Sequence, residues 1–514
     1  MKRRRLGLLA LATLALAYAS LPQGIGWNQN AHYALTRALA DGTAIVDPYR
    51  DETGDVAWVD GHYYSTKPPG LALVTLPAYL ALEQSGTLEL MARLPGLEDG
   101  DVAALWALGL IGCVLPGVIV LVLVRELGER FSPGYGTAAA VAVGAGTLLL
   151  PFSTLYFGHV LSAALGFAAF AALWLEREHC TVVRSTVAVA AGVLAGLAVV
   201  AHYSLAIVAV IVGLYVLATR PRARNGLLYV GGALVGVAPL LVYNWLAFGS
   251  PTHLSYRGAV LVGGASGHDV LGANASGFFG VGTPSATTAA DLVFGSIGLV
   301  TLAPVVAAGA AGIILLYRLR RAEASVAAAV VLTFLVVNSG YVDAFGGFTA
   351  GPRFLIPVLP FLGVPLALVL RRLPVTTVAL ASVSIALMVA VTITRPLLAY
   401  DGRWLERVEN GSFGGHGLAL AVPLALLVVT AVGLAAGASQ RPMFSRVDAV
   451  AGAGAIGAWF VVFLSAPGIR HRDAWRDLVG TLEVLAAAAF VAVVAVAFHV
   501  VAARSLEVDR DNRV

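Results

Sequence analysis

The chain has 514 residues, of which 59% are hydrophobic and only 12% charged, and its mean hydropathy is +0.84. Soluble domains carry about 25% charged residues, so a water-soluble globule, a disordered chain and a disulfide scaffold are excluded, and a polytopic membrane protein remains. The formal net charge of +4 comes from 33 basic residues, all arginine except Lys2 and Lys67, and their placement is topological rather than a nucleic-acid patch.

A hydrocarbon core of about 30 Å needs about 20 apolar helical residues. Runs of that kind fall at 6–22, 102–124, 135–152, 156–175, 185–201, 203–219, 226–247, 292–316, 325–341, 354–370, 375–394, 417–437, 447–466 and 480–503. The fold class read from them is an all-α polytopic membrane protein of about 14 transmembrane helices, with 11 as the lower bound. Short loops between alternate spans, from Lys2–Arg5 to Arg504, Arg510 and Arg513, hold 21 of the 33 basic residues. The excess of Arg and Lys in short loops marks the cytoplasmic side, so both termini are expected there. Lys2–Arg5 and the run behind them also resemble a cleavable signal peptide; an uncleaved first helix keeps the span count even.

The opposite, external side of the cell membrane then carries the long loops 23–101 and 248–291 and the shorter ones 395–416 and 467–479. Loops of this length are uncommon unless they carry function. Within the first, Asn30–Ala40 and Pro69–Leu82 read as short helices. The second of these is too short to span and is expected at the interface. The two cysteines, Cys113 and Cys180, give neither a disulfide framework nor a metal cluster.

Six acids (Asp41, Asp47, Asp51, Glu52, Asp55, Asp60) crowd the first loop ahead of His62-Tyr63-Tyr64-Ser65-Thr66-Lys67-Pro68-Pro69-Gly70. Lys67 is the only lysine outside the N-terminal cluster, and an ammonium is a compact charge suited to a phosphate oxygen. A solvated acidic loop with a snorkelling lysine is the competing reading. Arg353, behind Gly346, Gly347 and Gly351 at the mouth of a span, is a second candidate for an anion; an ordinary interfacial arginine has the same signature. His62, Tyr64, Tyr256 and Arg257 are further candidate substrate contacts, with Phe278 and Phe279 in a Gly-rich loop. The histidines show no metal-ligand spacing, and no phosphate-binding glycine loop or hydrolase motif occurs.

The segments HYALTRALADG, HYYSTKPPGLAL and GGFTAGPRFLIPVLPFL, with the span layout, resemble the GT-C membrane glycosyltransferases. The likeness is to the family 39-like group, which includes protein O-mannosyltransferases and the aminoarabinose transferases acting on lipid A. The resemblance implies sugar transfer on the external face, from a polyprenyl- or dolichyl-phosphate donor to an acceptor hydroxyl on a protein, lipid or glycan. It also implies a module over 1–394 with further C-terminal helices over 395–514. Lys67 matches the family's Lys-Pro-Pro, which implies a role on the lipid phosphate. The family's acidic pair before the first loop helix is absent here, where Trp27-Asn28-Gln29-Asn30 stands. A base would have to come from Asp55, Asp47 or Asp60, with Asp55 the first choice. No cofactor is required, although a divalent cation held by the loop acids is an alternative. A secondary transporter or flippase of a lipid or polar metabolite is the other functional class; transporters usually place ionisable residues near the midplane.

Overall fold

The computed structural model describes residues 2–94, 96–179, 183–260, 280–347, 349–394, 397, 417–440 and 445–465. The expected span 480–503, the loop 395–416 apart from residue 397, the loop 467–479, and Phe278 and Phe279 lie outside these residues. The chain is a polytopic helical membrane protein. Among the described residues, eight helices are long and apolar enough to cross a bilayer, or nine if one bent pair counts as a span. Three shorter apolar helices, Gly136–Ala145, Ser185–Ala201 and Tyr203–Leu217, accompany them.

Two expected spans are broken, each for a local reason. The run 135–152 divides into Gly136–Ala145 and Leu149–Thr154. At the break, the Thr147 hydroxyl donates to the Val143 carbonyl (2.5 Å) and accepts from the Leu149 N–H (3.3 Å), competing with the backbone ladder. The run 292–316 bends by 97° between Ala286–Leu302 and Val305–Leu319, where Pro304 has no N–H to continue the helix.

Apolar faces left exposed, such as Leu227, Leu234, Val235 and Leu246 on helix Arg222–Phe248, are what a lipid-facing surface needs. The opposite face of that helix packs on Ser185–Ala201 through paired small residues. A Cβ at Gly192 would sit on the Tyr229 carbonyl oxygen, and one at Gly232 on that of Val189. Close backbone approach replaces side-chain burial here, as is usual where lipid is already apolar.

Helix α1 (Lys2–Ala19) runs into a segment built from α2 (Trp27–Ala40), a hairpin and α3 (Gly70–Gln84). The hairpin, which the sequence reading lacks, pairs β1 (Val56–Val59) with β2 (His62–Ser65), and β3 (Ala259–Val260) adds to the free edge of β1. Asp60 (φ 49°) and Gly61 (φ 89°) form its two-residue turn, the backbone that an Asp-Gly pair favours. Residue 260 thus returns to the first loop and ties two distant segments into one cap.

Ion pairs gather at the end of the bundle away from the capping segment. Arg177 pairs with Glu323 (2.9 Å), Arg184 with Glu176 (2.7 Å) and Arg320 with Glu178 (2.8 Å). These pairs sit at the last turn of helix Gly158–His179, whose first turn lies at the opposite end, with the capping segment. The later helices pack into the same body. Asp448 accepts from the N–H groups of Val375 (2.7 Å) and Thr376 (3.0 Å), capping helix Pro374–Ile393, and the Trp459 indole donates to the Thr301 carbonyl (3.0 Å).

Candidate functional site

The loop before β1 is held by its own hydroxyls. Thr53 donates to the Trp27 carbonyl (2.7 Å) and accepts from the Asp55 N–H (3.1 Å). The Asp55 carbonyl receives both the N–H (3.1 Å) and the hydroxyl (3.0 Å) of Thr66. Ser255 donates to the Thr66 carbonyl (3.2 Å), so the 248–260 segment is fixed against the same strand end. The backbone at Asp55 and at Lys67 is therefore clamped before either side chain makes a contact.

The two side chains then meet. Lys67 Nζ lies 2.8 Å from Asp55 Oδ2, with the lysine side chain 6% exposed and the aspartate 20%. Burial pushes the Lys67 ammonium below its ordinary value, Asp55 opposes that push, and Arg353 adds to it. Taking an ammonium out of water costs several kcal/mol, so its retention requires a nearby anion. Asp55 supplies one here, and a phosphate could take its place.

Arg353 arrives from a segment distant in sequence, at the start of helix Arg353–Arg372. Its guanidinium lies over the rings of Phe157 (5.5 Å) and Phe354 (5.3 Å). The loop before it turns at Gly346 (φ 84°) and Gly347 (φ 78°), both N–H groups donating to Asp343 Oδ1 (3.2 and 2.9 Å). A Cβ on Gly346 would stand 2.5 Å from Arg353 Nε, so only glycine leaves room for the guanidinium. Asp343 and Arg353 both act electrostatically on Lys67.

Three histidines close the inner side. His32 on α2, His159 at the start of Gly158–His179 and His202 at the end of Ser185–Ala201 all lie within electrostatic reach of Lys67 and Arg353. The rings of His159 and His202 are 4.7 Å apart, and His202 Nδ1 is 2.8 Å from Ser204 Oγ. Burial, then the Lys67 charge, pushes the His32 imidazole down to about 3, so it is neutral at physiological pH. Buried polar atoms are normally partnered, yet His32 Nδ1, both ring nitrogens of His159 and Arg353 Nε have no partner within the protein. Such a concentration of unmet polar atoms around one ion pair marks a place for a ligand.

The remaining candidates divide. Tyr256 faces this group: it stacks edge-on with Tyr203 (5.8 Å), and Asp55 and Arg353 both act on it. Arg257 lies on the same turn, but its side chain is outside the described set. Asp47 turns elsewhere, accepting from the Tyr63 N–H (2.6 Å) and contacting His62 Nδ1 (2.8 Å) on the exposed flank of the hairpin. Burial alone would raise the Asp47 carboxyl, but those hydrogen bonds outweigh it and hold it below its ordinary value. Tyr64 is buried against Phe248 (4.9 Å) as part of the cap's packing. Asp60, exposed in the hairpin turn, serves its backbone. The sequence reading did not select His32, His159, His202, Asp343 or Tyr203, since their proximity arises only when four helices converge. Among the described residues, no group of three or more His, Cys, Asp and Glu side chains is arranged to hold a metal ion.

No family model matches the chain, and no curated protein matches it. Among solved structures it is similar to ArnT from Cupriavidus metallidurans bound to undecaprenyl phosphate. The identity is 16%, the TM-score 0.50, and the match covers 97% of this chain and 77% of that one. It is also similar to the archaeal oligosaccharyltransferase AglB from Archaeoglobus fulgidus in complex with an inhibitory peptide and a dolichol-phosphate. There the identity is 15%, the TM-score 0.42, and the coverage 88% of this chain and 59% of that one. The first likeness shows the fold alone: the chain shares the polytopic helical architecture of that membrane protein.

Proposed function

We propose that the chain transfers a sugar from a polyprenyl- or dolichyl-phosphate donor to an acceptor hydroxyl. The observation that carries this reading is the buried Lys67–Asp55 pair with Arg353 beside it, at one end of a bundle whose fold is shared with a protein bound to undecaprenyl phosphate. Two cations and one carboxylate are what the reaction needs, because the lipid phosphate is already an activated leaving group.

In the proposed step, the donor phosphate takes the place of Asp55 as the anion facing Lys67 and Arg353. The displaced carboxylate loses its cation and becomes the stronger base. The acceptor oxygen attacks the anomeric carbon, its proton goes to Asp55, and the carbon–oxygen bond to phosphate breaks. The departing lipid phosphate carries its electron pair and charge onto Lys67 and Arg353. Positioning, general-base catalysis and fixed charge aimed at the leaving group together supply the acceleration.

The excess of arginine in the short loops supports the reading that this end of the bundle faces the outside of the cell membrane, with the termini in the cytoplasm. A transfer assay with a panel of lipid-phosphate sugars, in nanodiscs, tests the reading. Release of free lipid phosphate coupled to glycosylation of an acceptor is the expected result. Movement of the intact lipid-linked sugar across the bilayer, with no transfer, would instead establish the transporter class.

A further inference from the structure

His159 is 4% exposed, and both of its ring nitrogens lack a partner within the protein. A neutral imidazole carries one donor and one acceptor, and leaving either unmet in a buried place costs about 1–3 kcal/mol. His202, whose Nδ1 is fixed by Ser204, stands 4.7 Å away ring to ring. Phe152, Phe157 and Phe354 surround His159, each with its ring centroid 5.8 Å from the imidazole. The anion-binding work at this end belongs to Lys67 and Arg353, and a phosphate offers acceptors only. A group that both donates and accepts, beside aromatic rings, suits a different ligand chemistry. A sugar ring has it: hydroxyls that donate and accept, and C–H faces that lie against aromatic surfaces.

We infer that His159, oriented beside His202, recognises hydroxyl groups of the donor's sugar, and so sets which glycosyl phosphate the site accepts. The inference rests on the lipid-phosphate-sugar reading above. It assigns the two parts of the donor to different residues: phosphate to Lys67 and Arg353, sugar to the imidazoles at the helix ends 158–159 and 201–202.

The test compares binding of bare undecaprenyl phosphate with binding of undecaprenyl-phosphate mannose, glucose, galactose and arabinose by the full chain in nanodiscs. The readout is the affinity ratio between the sugar-loaded lipid the wild type prefers and the bare lipid. His159→Phe should lower that ratio about tenfold or more, since a site missing its polar partner discriminates poorly, while bare-lipid affinity stays within about twofold. His159→Asn, which keeps a donor and an acceptor, should restore part of the ratio. An unchanged ratio in His159→Phe overturns the inference, as does a wild type that prefers no sugar-loaded lipid. If His159→Phe and His159→Leu both lose the bare lipid as well, the imidazole serves the phosphate or the fold, and the inference is overturned. Unaltered bare-lipid binding in Lys67→Ala would instead remove the underlying reading of the site.

Discussion

Replacing Asp55 by Asn separates the two roles assigned to this end of the bundle. The substitution keeps size and polarity but removes the negative charge 2.8 Å from Lys67 Nζ. At that distance and an effective dielectric of about 20, the gross attraction lost is ~6 kcal/mol. Breaking a buried pair by removing one partner usually costs about 3–5 kcal/mol, and the Asn carbonyl still accepts from the ammonium, so the lower end applies. The apo protein should therefore lose thermal stability but remain folded. With the competing anion gone, affinity for lipid phosphate should not fall. Removing a general base costs about 10²–10⁴ in rate, so transfer under saturating donor should drop by that factor. Single-turnover transfer in nanodiscs, with binding of bare lipid phosphate measured in parallel, reads both quantities. Transfer by Asp55→Asn within a fewfold of wild type would refute the assignment. Asp47→Asn serves as the control, because that carboxylate faces His62 and the Tyr63 N–H, and its loss should leave the rate near wild type.

Lys67→Ala should weaken binding of lipid phosphate by at least tenfold in an equilibrium binding measurement, and Lys67→Arg should restore only part of it, since a planar fork does not fit the space of a point charge. Gly346→Ala should act on Arg353 from a distance: the added methyl, at a left-handed backbone position and against Arg353 Nε, displaces the guanidinium. Donor affinity should then fall towards that of Arg353→Ala, with the fold intact by thermal denaturation. His32 predicts an acid limb of stability. Its value in the folded protein, about 3, lies below the ordinary 6.5, so the unfolded chain takes up the extra proton between these pH values. Stability should be full above about pH 6.5 and fall as pH drops towards 3, by at most about 1.4 kcal/mol per unit for this group. His32→Gln should remove its share of that limb, making it less steep, in thermal denaturation measured across pH 4–7.

Periodicity and run length locate most helices because lipid demands long apolar segments, and α2 and α3 appear near their expected places in the first loop. Breaks inside apolar runs are harder to see, since Thr147 acts through two local hydrogen bonds and Pro304 through a missing N–H, both of which hydropathy averages away. The hairpin was readable: Val56-Ala57-Trp58-Val59-Asp60-Gly61-His62-Tyr63-Tyr64-Ser65 carries the Asp-Gly turn between two β-prone runs. Its third strand was not, because residues 259–260 come from about 200 positions away. The same distance hides the histidines, which belong to three different helices. Asn28-Gln29-Asn30 offers no acid at the start of α2, and the structure shows what stands beside it. Thr53 bonds to the Trp27 carbonyl, and a Cβ on Gly54 would meet the Trp27 ring at 2.7 Å. The loop is thus pinned to the residue that opens α2, one position before the missing acids. Asp55 follows directly from that pin and turns its carboxylate to Lys67. A loop tied to the start of α2 thus brings a carboxylate to the buried ammonium, which is why Asp55, more than Asp47 or Asp60, carries the proposed base.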